Sequence, residues 1–233
     1  MSAQPPPSSL PPEAPWHAGL RAARAHLKAG IALQVFALAV VLAYYWHPPT
    51  HALFVRLAEL RLQTGLLLSI AGTALCGGVL PFIYLKANPE TRHGYTWVSG
   101  VFFTLFWAYK GIEVDYWYRA LAWMVGNDAS VRTVFIKVLL DQLVYCPVWA
   151  VTITVLAYAW HNAGFRLAPL RADFRAGHWY SRQILPGVLA NIGLWGPITA
   201  FVYALPLPLQ LPLFDIVLMF YTLLIAHITQ RKA

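Results

Sequence analysis

Lys137, Asp141 and Gln142 lie inside one of the most hydrophobic stretches of the chain, Val134 to Trp160, and Pro147 follows in the same run. A charge near the middle of a membrane-spanning helix costs at least about 2.5–3.5 kcal/mol unless something compensates it. These groups must therefore be buried in protein or line a water-filled cavity. Lys137 and Asp141 are four residues apart on one helical face, a spacing that lets them pair directly. Such a pair either fixes the rotation of the helix or belongs to a pathway, and both roles stay open. Gln142 sits roughly 100° further round the helix, where it can hydrogen-bond a neighbouring span. Pro147 deprives a carbonyl near position 143 of its donor and bends the helix.

Two more isolated polar groups at depth are Asn191, bracketed by Pro186 and Pro197, and Asp215. Ordinary helix packing accounts for them as well as a polar route does, because prolines are tolerated in membrane helices when neighbours satisfy the freed backbone groups. Gly65, Ser69, Gly72, Thr73, Cys76 and Gly77 line one side of another run, which permits close backbone approach. Cys76 and Cys146 read as small apolar packing residues without a zinc or disulfide spacing. Glu113 and Asp115, two apart, diverge by about 200° on a helix, too far for a shared metal site. They are expected to be solvated surface acids or, alternatively, to attract cations to a pore mouth. The eight histidines are scattered, and neither H-E-x-x-H, G-x-S-x-G nor a phosphate-cradling glycine loop occurs. No catalytic, cofactor-binding or metal-ligating set is assigned, and an enzyme is not expected.

The elements that must hold these residues follow from composition. Of 233 residues, 59% are hydrophobic and 11% charged, which points to an integral membrane protein rather than a soluble domain. Six spans are expected: Gly30 to Trp46, Leu62 to Leu85, Tyr95 to Gly111, Val134 to Trp160, Ile184 to Leu205 and Leu211 to Thr229. His47-Pro48-Pro49, Lys86-Ala87-Asn88-Pro89 and Leu205-Pro206-Leu207-Pro208 are expected to separate them. The fold class is thus an all-α compact bundle of about six transmembrane helices, with four as the alternative. Residues 1–29 form a disordered Pro-rich tail plus a basic amphipathic segment, and 30–233 form a single membrane domain. Arg21, Arg24 and Lys28 on one face of that segment suit anionic headgroups.

With the N-terminus inside, the cytoplasmic side collects Arg21, Arg24, Lys28, Lys86, Arg92, Arg166, Arg171, Arg175, Arg182, Arg231 and Lys232. The opposite side collects Arg56, Arg61, Lys110, Arg119 and Arg132, so the positive-inside rule favours N-in and C-in. The net charge of +8 is spread through short connections and does not indicate nucleic acid. A bacterial inner membrane is the expected location, with a mitochondrial or peroxisomal membrane as the alternative. Expected partners are the bilayer, a small solute or ion, and a second copy of the chain.

Gly111 with Trp117-Tyr118, then Lys137-x-x-x-Asp141-Gln142 with Pro147, then Pro186 and Pro197 occur in an order and spacing that resembles the Mpv-seventeen and twenty-two-kilodalton peroxisomal membrane protein family. The resemblance runs from about Gly111 to the C-terminus. The sequence departs from the family pattern at Ile112, Ala122, Leu185, Leu189 and Phe201, and Asn191 is displaced by one position. The resemblance implies a divergent relative with a compact helical membrane fold, pore-like conductance and handling of small metabolites. Together these readings favour a pore or small-solute permeation protein in which Asp141, Gln142, Asn191 and Asp215 line or gate a polar route and Lys137 balances Asp141. The alternative is a non-transporting scaffold whose polar residues lock helices together, with a lipid-modifying enzyme third.

Overall fold

A computed structural model describes residues 27–230, with side chains at residue 29 and at 224–230 excepted. The tail and Arg21 and Arg24, expected to meet anionic headgroups, lie outside the described residues. The described residues fold into helices alone, α1 (Leu27–Trp46), α2 (Pro48–Thr64), α3 (Leu66–Ala87), α4 (Trp97–Val125), α5 (Val131–Asn162), α6 (Leu167–Arg175), α7 (Tyr180–Tyr203) and α8 (Leu207–Gln230).

Each of the six apolar runs is helical over most of its length, although residues 62–64 close α2 and Gly65 separates them from α3. Helices α3, α5 and α7, of 22, 32 and 24 residues, are long and apolar enough to cross a membrane. A fourth is reached if the pair Gly30–Trp46 and Pro48–Thr64, bent by 96°, is taken as one span. Two connections differ from expectation. His47-Pro48-Pro49 does not open a loop: prolines at the first helical positions lack only amide protons that would be orphaned there, so they start α2 instead. The stretch after Gly111 also stays helical to Val125, continuing α4 through Glu113 and Asp115.

Three prolines coincide with π-helical turns, Ala74–Val79 ahead of Pro81, Asp141–Ala150 around Pro147 and Tyr180–Ile184 ahead of Pro186. A proline removes one amide donor, and the widened turn moves the neighbouring carbonyls to other partners. Pro147 O, for example, accepts from Thr152 Oγ1 at 2.7 Å and from Tyr180 OH at 3.0 Å. Pro197 strips Gly193 O of its donor in α7, and Gln34 Nε2 on α1 reaches across to Gly193 O at 3.2 Å and Leu194 O at 3.1 Å.

The small residues of α3 bring α4 and α8 close. A Cβ on Gly78 would lie 2.8 Å from Thr104 Cα, one on Gly77 would enter the Trp107 ring, and one on Gly111 would strike the Ser69 carbonyl. This agrees with the packing role read from their spacing.

Helices α1, α4 and α7 run one way and α3, α5 and α8 the other, so the two ends of the bundle can be compared. At the end where α1 finishes, Leu121, Ile198, Val202, Leu211, Leu213 and Val217 are fully buried around Tyr118 and Tyr203. Helix α2 crosses this end and contributes Phe54, Leu57 and Ala58. The outer surface carries apolar stripes, for example Ile31, Val35, Leu38 and Leu42 on α1 and Val131, Phe135 and Leu139 on α5. Exposed apolar surface of this continuity marks an interaction or membrane-facing region rather than an ordinary solvated one.

Candidate functional site

Asp141 opens the π-helical turn of α5 and is buried, 3% exposed. Its Oδ1 accepts from Trp117 Nε1 and from Tyr203 OH, both at 2.8 Å. Its Oδ2 accepts from Gln142 Nε2 at 2.8 Å and from the Cys146 thiol at 3.7 Å. Four donors from three helices thus satisfy one carboxylate, as a buried charge requires.

Gln142 carries the network onward. Its Nε2 also approaches Thr199 Oγ1 at 3.5 Å, and its Oε1 accepts from Asn191 Nδ2 at 3.2 Å. Asn191 Nδ2 lies 3.4 Å from Cys146 Sγ as well. Gln142 therefore bonds to a neighbouring helix, as its position round α5 suggested. Cys146 departs from its expected role, because it belongs to the polar network rather than to apolar packing.

The expected Lys137–Asp141 pair does not form. Lys137, 1% exposed, points toward the Tyr203 ring with its Nζ 5.9 Å from the centroid, while Trp117 and Tyr203 occupy Asp141. Tyr118 packs edge-on to the same Tyr203 ring at 5.4 Å. Asp215 is also separate from this cluster: it accepts from Thr73 Oγ1 at 2.7 Å, against Gly72 of α3.

Glu113 and Asp115 are buried rather than solvated. As their angular separation implies, they enter two different networks. Asp115 pairs with Arg61 of α2 and with Arg119, the latter at 2.9 Å, and Arg61 Nη1 donates to Ser69 Oγ at 2.8 Å. Glu113 pairs with Lys110 and accepts from Tyr145 OH, and its second oxygen is buried without a partner. Tyr145 stacks on Trp117 with centroids 4.5 Å apart, which links this pair to the Asp141 cluster.

Beside these groups lies a cavity of about 910 Å³. Asp141, Gln142, Tyr145, Cys146, Asn191, Thr199 and Lys110 border it, whereas Lys137 and Asp215 do not. On α5 the bordering residues run from Asp141 through Ala150, Val151, Thr154 and Val155 to Tyr158, one continuous helical face. The far part of the cavity meets Leu27 at the start of α1, Leu85 near the end of α3, Tyr95 before α4 and Thr222 near the end of α8. These positions share the end of the bundle opposite the packed core. The cavity is thus deep, with the Asp141 cluster at its inner end, largely apolar walls, and Glu90, Thr91 and Thr222 toward its outer end.

Sequence reasoning missed Lys110, Tyr145, Tyr203, Thr199 and Gln34. Tyr145 had a signal, since it lies one helical turn from Asp141 on the same face. Tyr203 and Gln34 had none, because their partners are 62 and about 160 residues away. Among the described residues, no group of three or more His, Cys, Asp or Glu converges as metal ligands. No protein-family model matches the chain, and neither the curated proteins nor the solved structures contain a match.

Proposed function

We propose that the chain is a multi-pass membrane protein that admits a small solute to its central cavity and passes it in a gated manner. In this reading α1, α3, α4, α5, α7 and α8 cross the bilayer, α2 lies across the outer end, and both termini face the cytoplasm. The apolar stripes on α1 and α5 support insertion, and the excess of basic residues at the cavity end supports the orientation. The chain is read as a divergent relative of the Mpv-seventeen and twenty-two-kilodalton peroxisomal membrane proteins, in a bacterial inner membrane.

One observation carries the proposal: Asp141, Gln142 and Asn191, the first two buried, border a cavity of about 910 Å³. Polar groups retained at depth beside such a space are typical of solute pathways. The packed core at the opposite end makes this a closed state, so passage requires that end to open.

A non-transporting scaffold is the second reading, favoured by the full hydrogen-bond complement of Asp141. Reconstitution separates the two. A pathway gives solute flux or conductance in proteoliposomes and planar bilayers, with selectivity altered in Asp141→Asn. A wild-type protein silent over a range of voltage and pH, with Asp141→Asn lowering only thermal stability, supports the scaffold.

A further inference from the structure

We infer that the cavity takes an uncharged single-chain amphiphile, with its head at Asn191 and Lys110 and its aliphatic chain along the aromatic walls toward the open end. This rests on the reading of the cavity as a solute site and names the class of solute. The first argument is segregation. Phe103, Trp107, Leu194, Phe214 and Leu218 supply much of the wall, the Gln142 and Asn191 amides and the Lys110 ammonium lie at the inner end, and Glu90, Thr91 and Thr222 lie toward the open end. Ligand cavities span about 300–1,000 Å³ and use apolar walls with a few polar groups that fix orientation. This one lies near the upper limit. It follows the α5 face from Asp141 to Tyr158, roughly 25 Å at 1.5 Å per residue. A long apolar lining of this kind replaces the hydration shell of an ion poorly and matches an aliphatic chain well.

The second argument is hydrogen-bond valence. Asp141 already accepts four donors, and both protons of Gln142 Nε2 are directed at Asp141 and Thr199. Asn191 Nδ2 is directed at Gln142 Oε1 and Cys146 Sγ, which leaves Asn191 Oδ1 as an acceptor with no partner among the described residues. Lys110, 4% exposed, uses its ammonium on Glu113 and retains further N–H donors. The inner end therefore offers one acceptor at Asn191 and donors at Lys110, with the unpartnered Trp107 Nε1 one turn away, the complement of a hydroxyl beside an ester or amide carbonyl.

The third argument is charge. An anionic head would lie beside Asp141 and Glu113, and a cationic head beside Lys110. Neither has an unpaired counter-charge to meet, and an uncompensated charge at this depth is unfavourable. A neutral head avoids both.

Trp107 and Trp195 border the cavity and report on its contents. The full chain in detergent is titrated with three brominated probes of equal chain length, a monoacylglycerol, a fatty acid kept ionised and an alkyl trimethylammonium. Bromine quenches tryptophan fluorescence on contact. Saturable quenching is expected from the monoacylglycerol, with the two charged probes weaker by about tenfold or more. Asn191→Leu is expected to weaken the monoacylglycerol by about tenfold, through loss of one buried acceptor. Ala190→Trp, which places an indole in the cavity, is expected to abolish the saturable component. Gly187→Leu does the same from an adjacent position where an added Cβ meets only Val151 and Val155 at ordinary contact distance. The thermal midpoint of each variant reports whether it has folded. Non-saturable partition unchanged in folded Gly187→Leu, or equal affinity for a charged probe, overturns the inference. Saturable binding without flux of any solute sinks the permeation reading and upholds this one, and flux without saturable binding does the reverse.

Discussion

The two ends of the bundle are built from the same kinds of residue and reach opposite outcomes. At one end Leu211, Leu213, Val202 and Val217 are fully buried, and the charges of Arg61, Asp115 and Arg119 meet each other. At the other end residues as apolar as Leu85, Val155 and Leu194 border a cavity instead. The difference lies in α2. Bent by 96° from α1, it crosses the first end and places Phe54, Leu57 and Arg61 among the helices there. At the second end the short α6 packs beside α5, and none of its residues borders the cavity. One transverse helix thus fills the first end, whereas the helix at the second end leaves room for the polar cluster to face a space.

Substitutions at the two ends should therefore differ in cost. The largest loss is expected for Asp115→Ala, which leaves Arg61 buried with only Ser69 as partner. Breaking one side of a buried pair costs about 3–5 kcal/mol. Equilibrium unfolding in detergent measures it, and a loss under 1 kcal/mol means the pair does not hold α2 in place. The next pair of variants compares the ends directly. Leu211→Ala should cost about 2–5 kcal/mol because it opens a void in close packing. Leu85→Ala borders a space already present and should cost about 1 kcal/mol or less. Equal losses from the two would erase the contrast.

Tyr203→Phe lies where the two ends meet. It removes one of four donors to Asp141, and a hydrogen bond to a charged group contributes about 1.5–3 kcal/mol. Stability should fall by that amount, and flux selectivity should change less than in Asp141→Asn because the carboxylate remains.

The smallest effect lies at the exposed cap of α5. Ser130 and the Thr133 hydroxyl hold Asp128 in its charged form and pull its carboxyl down to about 2. The folded value lies below the unfolded one of about 3.9. The cap therefore contributes its full stabilisation above about pH 4 and loses it as pH falls toward 2. Thermal midpoints between pH 5 and pH 2 should show this decline, and Asp128→Asn should flatten that part of it.

Much of the helix pattern is visible in the sequence, because hydrophobic run length is a local property. The break at Lys86-Ala87-Asn88-Pro89 and the turn at Pro206 fall where proline chemistry puts them. Pro48-Pro49 differs, because there proline starts a helix, and run length alone does not reveal α2. On the sequence Arg61 therefore looks like a connection residue and Asp115 has no visible partner, whereas in the fold the two pair. Lys137 and Asp141 show a related limit. Their four-residue spacing permits a pair, but Trp117 and Tyr203, 24 and 62 residues from Asp141, reach it first. Long-range donors decide which local pairing survives, and spacing cannot reveal them. The part of the site that was legible, Asp141 with Gln142 and Asn191, was legible because polar groups in an apolar run are costly wherever they lie.

The most direct test of the one-ended cavity is cysteine accessibility in a background lacking Cys76 and Cys146. Single cysteines at Thr154, Asn191, Val202 and Leu211 are exposed to a small membrane-impermeant thiol reagent from each side of sealed vesicles. Labelling is expected at 154 and 191 from the side that carries the Lys86–Arg92 connection, and at neither 202 nor 211 from either side. Labelling of 202 and 211 from the opposite side, or protection of 154 and 191 from both, would contradict a cavity closed by α2 at one end and open at the other.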